Sequence, residues 1–290
     1  MPSKLPSWLH RKLPVGGKLE TTKRAIREGS LYTVCEEAKC PNRSECYSNK
    51  TATFLAMGKA CTRACSFCDI DFNRRPPPPS PDEPERIARS VHKLGLKHAV
   101  ITMVARDDLP DYGSSHMGKI VQAIHALPKP PSSEVLTSDF DGDMASLNLL
   151  LNALPTIFNH NMETVERLTP QVRHRATYSR SLSVLEYAAK HKGQSIVKSG
   201  IMVGLGEEKE EVHKTIRDLY NVGCQAITIG QYLQASPKKR RVHRYVKPEQ
   251  FAEYAEYGQS IGITYMYSAP FVRSSYNADM LKEEMITSKK

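Results

Sequence analysis

Six of the seven cysteines lie close together near the amino terminus, in two runs of three. The upstream triad is Cys35, Cys40 and Cys46, spaced C-x4-C-x5-C, and the downstream triad is Cys61, Cys65 and Cys68, spaced C-x3-C-x2-C. Each triad offers three soft thiolates, whereas a tetrahedral zinc site or a cubane iron–sulfur cluster takes four ligands. Two triads that each lack a fourth cysteine therefore predict metal sites with a coordination position left open for chemistry.

Three kinds of site compete for these cysteines. A disulfide framework is typical of small secreted folds, but this chain is long, has no secretory signal and concentrates its cysteines in one short segment. Structural zinc is usually held by paired C-x2-C knuckles, and here only Cys65 and Cys68 form one. Thiolates at short spacing suit iron–sulfur ligation. The spacing thus favours metal over disulfides and leaves zinc as an alternative.

The wider sequence then resembles a known family. The C-x3-C-x2-C spacing, with Phe67 directly before Cys68, resembles the signature of the radical SAM superfamily, whose members use S-adenosylmethionine (SAM). The phrases CEEAKCPNRSECY and GKACTRACSFCDI, together with RSSY at residues 273–276, resemble the lipoyl synthase family in particular. The resemblance continues through KSGIMVGLGE and QYLQAS and covers residues 30 to 280, approximately. The two triads combined with RSSY are far more specific than either triad alone.

This resemblance implies roles for both triads. The downstream triad would hold a [4Fe–4S] cluster whose open iron chelates SAM, and reduction would cleave SAM to a 5′-deoxyadenosyl radical. The upstream triad would hold an auxiliary [4Fe–4S] cluster, with Ser275 of RSSY as its fourth ligand and Ser274 as the alternative. An alkoxide is a harder ligand than a thiolate and suits iron less well. We therefore expect the serine bond to let one iron leave and to free sulfide for attack.

The implied activity is that of a radical SAM sulfurtransferase in lipoate biosynthesis. It inserts sulfur at C6 and C8 of an octanoyl chain that is amide-linked to a lysine of a lipoyl carrier domain. The implied partners are the octanoylated domains of 2-oxoacid dehydrogenase E2 subunits and the glycine cleavage H protein, with flavodoxin or ferredoxin as electron donor. One alternative is a methylthiotransferase-like radical SAM enzyme acting on RNA, although the chain leaves no room for an RNA-binding module after the barrel. A zinc-bound nucleic-acid module is the other alternative.

Polar side chains that follow predicted strands are candidates for the SAM and substrate pocket. Phe67, Asn161 and Lys198 are predicted to contact SAM, and Phe67 lies within the downstream cysteine loop. Further candidates at strand ends are Asp107, Asp108, Asp139, Asn159 and His160. For any one of these side chains a structural hydrogen bond is at least as good an interpretation as a ligand contact.

Composition describes an ordinary globular protein with a basic surplus. The 290 residues suffice for one large α/β domain. Hydrophobic content is 40%, and no apolar run approaches the length of a membrane span. Unpaired cysteines and oxygen-sensitive metal favour a cytoplasmic location. The formal charge of +10 predicts an anionic partner, either nucleic acid or an acidic protein domain; the resemblance favours the protein domain.

The remaining pattern alternates strands with helices. Seven apolar, partly β-branched runs predict strands at 51–57, 97–104, 134–140, 156–161, 195–204, 225–232 and 263–269. Helical stretches between them predict βα units and a parallel sheet. Seven strands are fewer than a full eight-stranded barrel needs, and the resemblance implies an α/β fold with a partial (β/α)6 TIM-type barrel. We expect the barrel at 51–270, with extensions at 1–50 and 271–290 that carry the auxiliary cluster site.

Overall fold

The computed structural model describes residues 5–10, 18–49, 51–193 and 195–275. The strands are β1 (Tyr32–Thr33), β2 (Thr53–Ala56), β3 (Ala60–Cys61), β4 (Asp71–Phe72), β5 (His98–Met103), β6 (Ser132–Leu136), β7 (Ile157–Asn159), β8 (Ile196–Val203), β9 (Ala226–Gln231) and β10 (Tyr265–Ser268). The α-helices are α1 (Lys18–Glu28), α2 (Val34–Glu37), α3 (Arg43–Ser48), α4 (Glu83–Leu94), α5 (Ser114–His125), α6 (Met144–Leu151), α7 (Thr169–Val172), α8 (Tyr178–Lys190), α9 (Lys209–Asn221) and α10 (Pro248–Ser260). Short 3₁₀ turns lie at Ser7–Leu9, Phe140–Gly142 and Glu166–Leu168.

Within the described residues, eight strands form one sheet in the order β1-β2-β5-β6-β7-β8-β9-β10. All neighbouring pairs are parallel except β1 with β2, which are antiparallel. Helices α4, α5, α6, α8, α9 and α10 each follow a parallel strand, which gives six β/α units and a seventh parallel strand. The partial TIM-type barrel expected from the sequence is confirmed. Neither β1 nor β10, at the two ends of the described sheet, pairs with the other.

All seven predicted strands are present, but one of them is displaced. The strand predicted at 134–140 runs from Ser132 to Leu136, because the chain turns at its carboxyl end. Phe140 and Asp141 have φ values of 48° and 51°, and the side chain of Asp139 accepts a hydrogen bond from the Asp141 backbone N–H. A side chain that bonds the backbone two residues further on forms a turn. This turn holds Asp139 at the carboxyl end of β6.

Most residues of the parallel strands β2 and β5 to β9 are buried, whereas those of β10 are half-buried. Every residue of β5 and β9 is buried, as expected for parallel strands covered by helices. Helices α4 and α5 pack against each other beside β5 and β6, and α4 ends at Gly95 in the left-handed conformation that suits glycine. The strands therefore form a rigid floor, and their carboxyl ends are joined by the loops that contain the polar candidates.

The amino-terminal segment adds an edge strand to the sheet and a helix beside it. Strand β1 pairs with β2, and α1 packs against α3 and α4. The proposed boundaries at residues 50 and 270 stay predictions, and 276–290, including the last residue of RSSY, lie outside the described residues. In the part of the chain that the structure describes, no helix has the length and apolarity needed to cross a bilayer.

Candidate active site

A cavity of about 490 Å³ opens at the carboxyl ends of the parallel strands. This volume is within the range typical of small-molecule sites. Much of its wall is apolar, formed by Met103, Val104, Leu136, Ile201, Met202, Leu233 and Val272. Strand ends are where α/β folds place their active sites. The cavity can therefore receive an alkyl chain beside polar and charged groups.

The downstream triad lies in the wall of this cavity. Cys61, Cys65 and Cys68 all line it, together with Phe67. The loop that bears them leaves β2 through Gly58, whose φ is +84°, and Cys61 belongs to β3, which pairs with β4. The short sheet β3-β4 closes the loop on itself and directs its three thiols toward one space.

Arg63, between Cys61 and Cys65, fixes the loop to the strand ends. Its Nη2 lies 2.7 Å from Oδ1 of Asp107, and its Nη1 lies 2.6 Å from Oδ1 of Asp139. All three side chains are almost fully buried, and the two carboxylates raise the pKa of the Arg63 guanidinium above its usual value despite that burial. A buried charge needs close partners, so Arg63 has only one place to lie.

A second set of contacts ties the loop to the segment after β7. Ser66 N–H donates to the Val172 carbonyl at 3.0 Å. The Ala64 N–H donates to Nδ1 of His174 at 3.2 Å, and the His174 N–H donates to Sγ of Cys65 at 3.3 Å. Contacts with three separate strand ends therefore hold the downstream triad.

The upstream triad lines a second, narrow cavity. Its wall contains Cys35, Cys40 and Cys46 together with Asn42, Thr51, Ala52, Thr53, Arg273 and Ser275. Cys40, Arg273 and Ser275 also line the large cavity. The structure thus brings the RSSY segment, which follows β10, to the triad that precedes β2. The two cavities adjoin at Cys40 and Ser275.

The two serines of RSSY have different surroundings. Ser275 lines the narrow cavity with the upstream triad, whereas Ser274 is not part of that wall. The Ser274 hydroxyl instead donates to Oδ1 of Asn161 at 2.9 Å, and Nδ2 of Asn161 donates to Oε1 of Glu163 at 3.0 Å. This geometry supports Ser275, rather than Ser274, as the fourth ligand of the upstream triad.

Two glycines let the RSSY segment approach the barrel. A Cβ atom at Gly230 in β9 would lie 2.0 Å from the Val272 carbonyl oxygen and 2.9 Å from Nη1 of Arg273. A Cβ atom at Gly200 in β8 would lie 3.0 Å from Oγ of Ser274. No real Cβ comes as close to a backbone atom as the one at Gly230 would, so the position of the RSSY segment depends on the absence of a side chain there. At Gly200 the fit against Ser274 is only tight.

An ion pair links the two cysteine loops directly. Nζ of Lys39, next to Cys40, lies 2.6 Å from Oδ2 of Asp69, next to Cys68. The Ser236 hydroxyl, from the segment after β9, donates to the other carboxylate oxygen of Asp69 at 2.7 Å. Hydrogen bonds from Lys39 and Ser236 lower the pKa of Asp69, which keeps it charged. Lys39 and Asp69 both line the large cavity, so this contact sets how far apart the two loops lie at its mouth.

Burial opposes the ionisation of several thiols in the two triads. It raises the pKa of Cys35 to about 11 and that of Cys68 to about 12, and it also raises the pKa of Cys61 and Cys65. No disulfide joins any of the seven cysteines, all of which lie in the described part of the chain. Metal ligation requires thiolates, so a bound cation would favour the charged form of these thiols.

The donor geometry also bears on zinc. Among the described residues, no three His, Cys, Asp or Glu side chains converge as ligands of a single metal ion do. Two triads of soft donors, each short of a fourth cysteine, suit the thiolate ligation of iron–sulfur clusters.

Four of the predicted pocket residues line the large cavity and four do not. Phe67, Asp139, His160 and Asn161 do so. Asp107 binds Arg63 and Asp108 binds Arg106, so these two carboxylates are structural. Asn159 donates to Glu134 at 2.8 Å. Lys198 also lies outside the cavity wall.

The prediction that Lys198 contacts SAM is corrected by the structure. Lys198 is buried, and its Nζ lies 3.0 Å and 3.1 Å from the two carboxylate oxygens of Glu134. The part of β8 that lines the cavity begins two residues later, at Gly200. Burial opposes the charge on Glu134, but Lys198 and His98 hold its pKa at about 2. Lys198 therefore belongs to a charged layer between the strands below the cavity.

Charged cavity residues that were not among the predicted site residues include Glu163, Arg173 and Arg273, besides Lys39, Arg63 and Asp69. Burial raises the pKa of Glu163 and lowers that of Arg173. Glu163 also has a φ of 63°, which is uncommon for a residue with a side chain. Its place two residues after Asn161 was a usable signal, since it continues the same strand-end segment. No pattern marked Arg173, which precedes His174 in a loop.

Comparison with known proteins shows the family of this chain. The Radical SAM superfamily matches residues 55–219, and the N-terminal domain of lipoyl synthase of the Radical SAM family matches residues 2–40. A lipoyl synthase of Protochlamydia amoebophila is 58% identical over 280 residues, which is 96% of this chain and 87% of the relative. A lipoyl synthase of Chlamydia trachomatis is 53% identical over 285 residues, 98% of this chain and 91% of the relative. The chain belongs to the lipoyl synthase family.

Solved structures agree on the fold. The crystal structure of methylornithine synthase (PylB) matches with a TM-score of 0.51 and 14% identity, covering 95% of this chain and 90% of that one. Identity this low supports the barrel and says nothing of the substrate. Membership of the lipoyl synthase family implies [4Fe–4S] clusters and SAM, and the two triads fit that requirement in number, donor type and placement.

Gly230→Ala tests the close approach of RSSY to β9. The added methyl group would collide with the Val272 carbonyl and displace Ser275 from the upstream triad. We expect the reconstituted variant to lose about the one iron that Ser275 would bind, and with it sulfur insertion, while it keeps SAM cleavage. The matched control is Gly118→Ala in α5, where the nearest atom is 3.7 Å from the new Cβ. Full iron content in Gly230→Ala would contradict the argument.

Asp69→Asn tests the link between the loops. The change removes the ion pair with Lys39 while an amide oxygen can still accept from Ser236. Because Lys39 is largely exposed, we expect unfolding stability to change by less than about 1 kcal/mol. The ratio of sulfur inserted to SAM cleaved should fall by roughly tenfold, since a small misplacement of reacting groups is costly. The charge swap Lys39→Asp/Asp69→Lys should recover part of it; an unchanged ratio in Asp69→Asn would exclude a positioning role.

Proposed function

We propose that this protein inserts two sulfur atoms into an octanoyl chain, at C6 and C8, while the chain is attached to a lysine of a lipoyl carrier domain. The product is the lipoyl cofactor on that domain. The supporting observation is that the cavity lined by the downstream triad adjoins the one lined by the upstream triad and Ser275. One alkyl chain in the large cavity can therefore lie between a site of hydrogen removal and a source of sulfur.

The proposed roles of the site residues follow from their positions. When bound, the two [4Fe–4S] clusters and SAM supply the radical chemistry and the sulfur. Cys61, Cys65 and Cys68 would hold the cluster that SAM meets, and Cys35, Cys40, Cys46 and Ser275 would hold the auxiliary cluster. Phe67 and Asn161 line the same cavity as the downstream triad and remain the proposed SAM contacts.

Other side chains in the cavity suit the polar groups of SAM and the apolar alkyl chain. Glu163 supplies a carboxylate, and Arg173 and Arg273 supply guanidinium groups, in one cavity, which matches the amino and carboxylate groups of SAM. The apolar wall from β5, β6 and β8 suits the alkyl chain and keeps water away from it. The Ser275 hydroxyl would release its iron more readily than a thiolate would, because it is a poorer match for iron.

The same proposal includes partners and location. The carrier domains of 2-oxoacid dehydrogenases and of the glycine cleavage system are the expected substrates, and flavodoxin or ferredoxin is the expected reductant. The buried, oxidisable thiols suit the reducing cytoplasm.

The direct test is sulfur insertion by the intact protein. It is reconstituted with iron and sulfide without oxygen and incubated with SAM, a reductant and a peptide bearing octanoyl-lysine. We expect about eight irons per chain and a peptide mass that rises by two sulfur atoms. Cleavage of SAM with no sulfur in the peptide would leave the superfamily assignment and overturn the proposed activity.

Ser275→Cys tests the role of the serine ligand. A thiolate would bind iron more firmly, so the iron content should stay at the wild-type level while sulfur insertion falls by roughly a hundredfold. Ser274→Ala is the comparison, because it removes only the hydrogen bond to Asn161 and should weaken SAM binding instead. Wild-type activity in Ser275→Cys would refute the assignment.

A further inference from the structure

We propose that the segment Ser236–Lys247, here called the basic rim, is the surface on which the carrier domain docks, through acidic side chains around its modified lysine. This inference rests on the proposed function and adds to it the place and the chemistry of recognition.

The charge of this segment is one-sided. Between Asp218 and Glu249 the sequence has no carboxylate side chain, but it has Lys238, Lys239, Arg240, Arg241, Arg244 and Lys247. A stretch of cations without acids is a strong local source of positive potential. It accounts for much of the formal charge of +10.

Two of these cations have no acidic partner among the described residues. Arg244 approaches Glu207 at 3.7 Å, and the Arg240 guanidinium donates to the Leu205 carbonyl. Lys238 and Arg241 are both exposed, and neither has an acidic partner among the residues that the structure describes. These two cations can therefore pair with an incoming surface at little cost in existing contacts.

The rim borders the cavity mouth. Leu233, Gln234 and Ala235, which precede it, line the large cavity. Ser236 donates to Asp69, and the Arg240 N–H donates to the Ser66 carbonyl at 2.8 Å. The rim is thus bonded to the downstream cysteine loop, and a macromolecule that inserts a chain into the cavity must pass beside it.

The cavity decides between protein and nucleic acid as the docking partner. Its apolar wall, with Met103, Leu136 and Ile201, suits the alkyl chain of the proposed substrate. The macromolecule that meets the rim is therefore the one that bears the alkyl chain. Electrostatic complementarity of this kind raises association rates and selects partners, which suits an enzyme that must visit many carrier domains.

The experiment reverses two charges at the rim. Lys238→Glu/Arg241→Glu is compared with Lys97→Glu/Lys129→Glu, which makes the same change in net charge at exposed lysines before β5 and β6, at the opposite end of the sheet. Each holoenzyme is assayed with an octanoylated carrier domain and with a short, uncharged octanoyl-lysine peptide, at several salt concentrations. Carrier binding is also measured directly, without turnover.

At low salt the rim variant should lose carrier kcat/KM and carrier affinity on the order of tenfold. It should keep wild-type activity on the peptide and show a flatter salt dependence. The control variant should resemble the wild type with both substrates. Failure of the wild type to insert sulfur would defeat the proposed function, whereas the docking surface is judged by the binding measurement.

Three results would overturn the docking surface. The first is equal carrier affinity in the rim and control variants. The second is an equal fall on the peptide, which would place the damage in the site. The third is loss of RNA binding in the rim variant while its carrier kinetics stay at the wild-type level, which would assign the rim to nucleic acid.

Discussion

A buried guanidinium holds the chemistry of this protein in place. Arg63 sits inside the downstream cysteine loop, and its charge can be tolerated in the interior only beside Asp107 and Asp139. Because those carboxylates follow β5 and β6, the sheet determines where the loop lies. The strand ends therefore hold the thiols next to Arg63 in place, although the loop itself contains little regular structure.

The neighbouring charges form a balanced interior around that anchor. Asp139 also meets Arg180 at 3.3 Å, and burial, together with Arg173, lowers the pKa of His160 to about 4. His160 is therefore neutral at physiological pH and bonds to the Thr137 carbonyl and Ser181. Arg173 is one of the cations that line the cavity, where thiolates acquire negative charge on ligation. Such an arrangement stabilises a loaded site more than an empty one.

The barrel and the two triads could be predicted from the sequence, whereas much of the pocket could not. Apolar runs identified all seven parallel strands, because burial on both faces leaves continuous hydrophobic sequence. The same rule misled at Lys198, since a strand end and a strand middle look alike without neighbours, and only the fold pairs Lys198 with Glu134.

Long-range contacts account for the other omissions. The link between Lys39 and Asp69, and the two-sided clamp on Arg63, join residues that are far apart in the chain. The short strand β1 was also missed, because two residues give no periodicity. Ser275 could be proposed only through family resemblance; in the structure, Gly230 is what allows its segment to reach the upstream triad.

The upstream triad lies beside β1 and β2 at one edge of the described sheet, and Ser275 follows β10 at the other edge. A hydrogen bond of 2.8 Å from Asn42 to the Phe271 carbonyl already spans this gap. A cluster ligated from both sides would act as a covalent clasp that completes the circumference of an otherwise open barrel. The two edges of the sheet would therefore be held together more firmly with the cluster bound than without it.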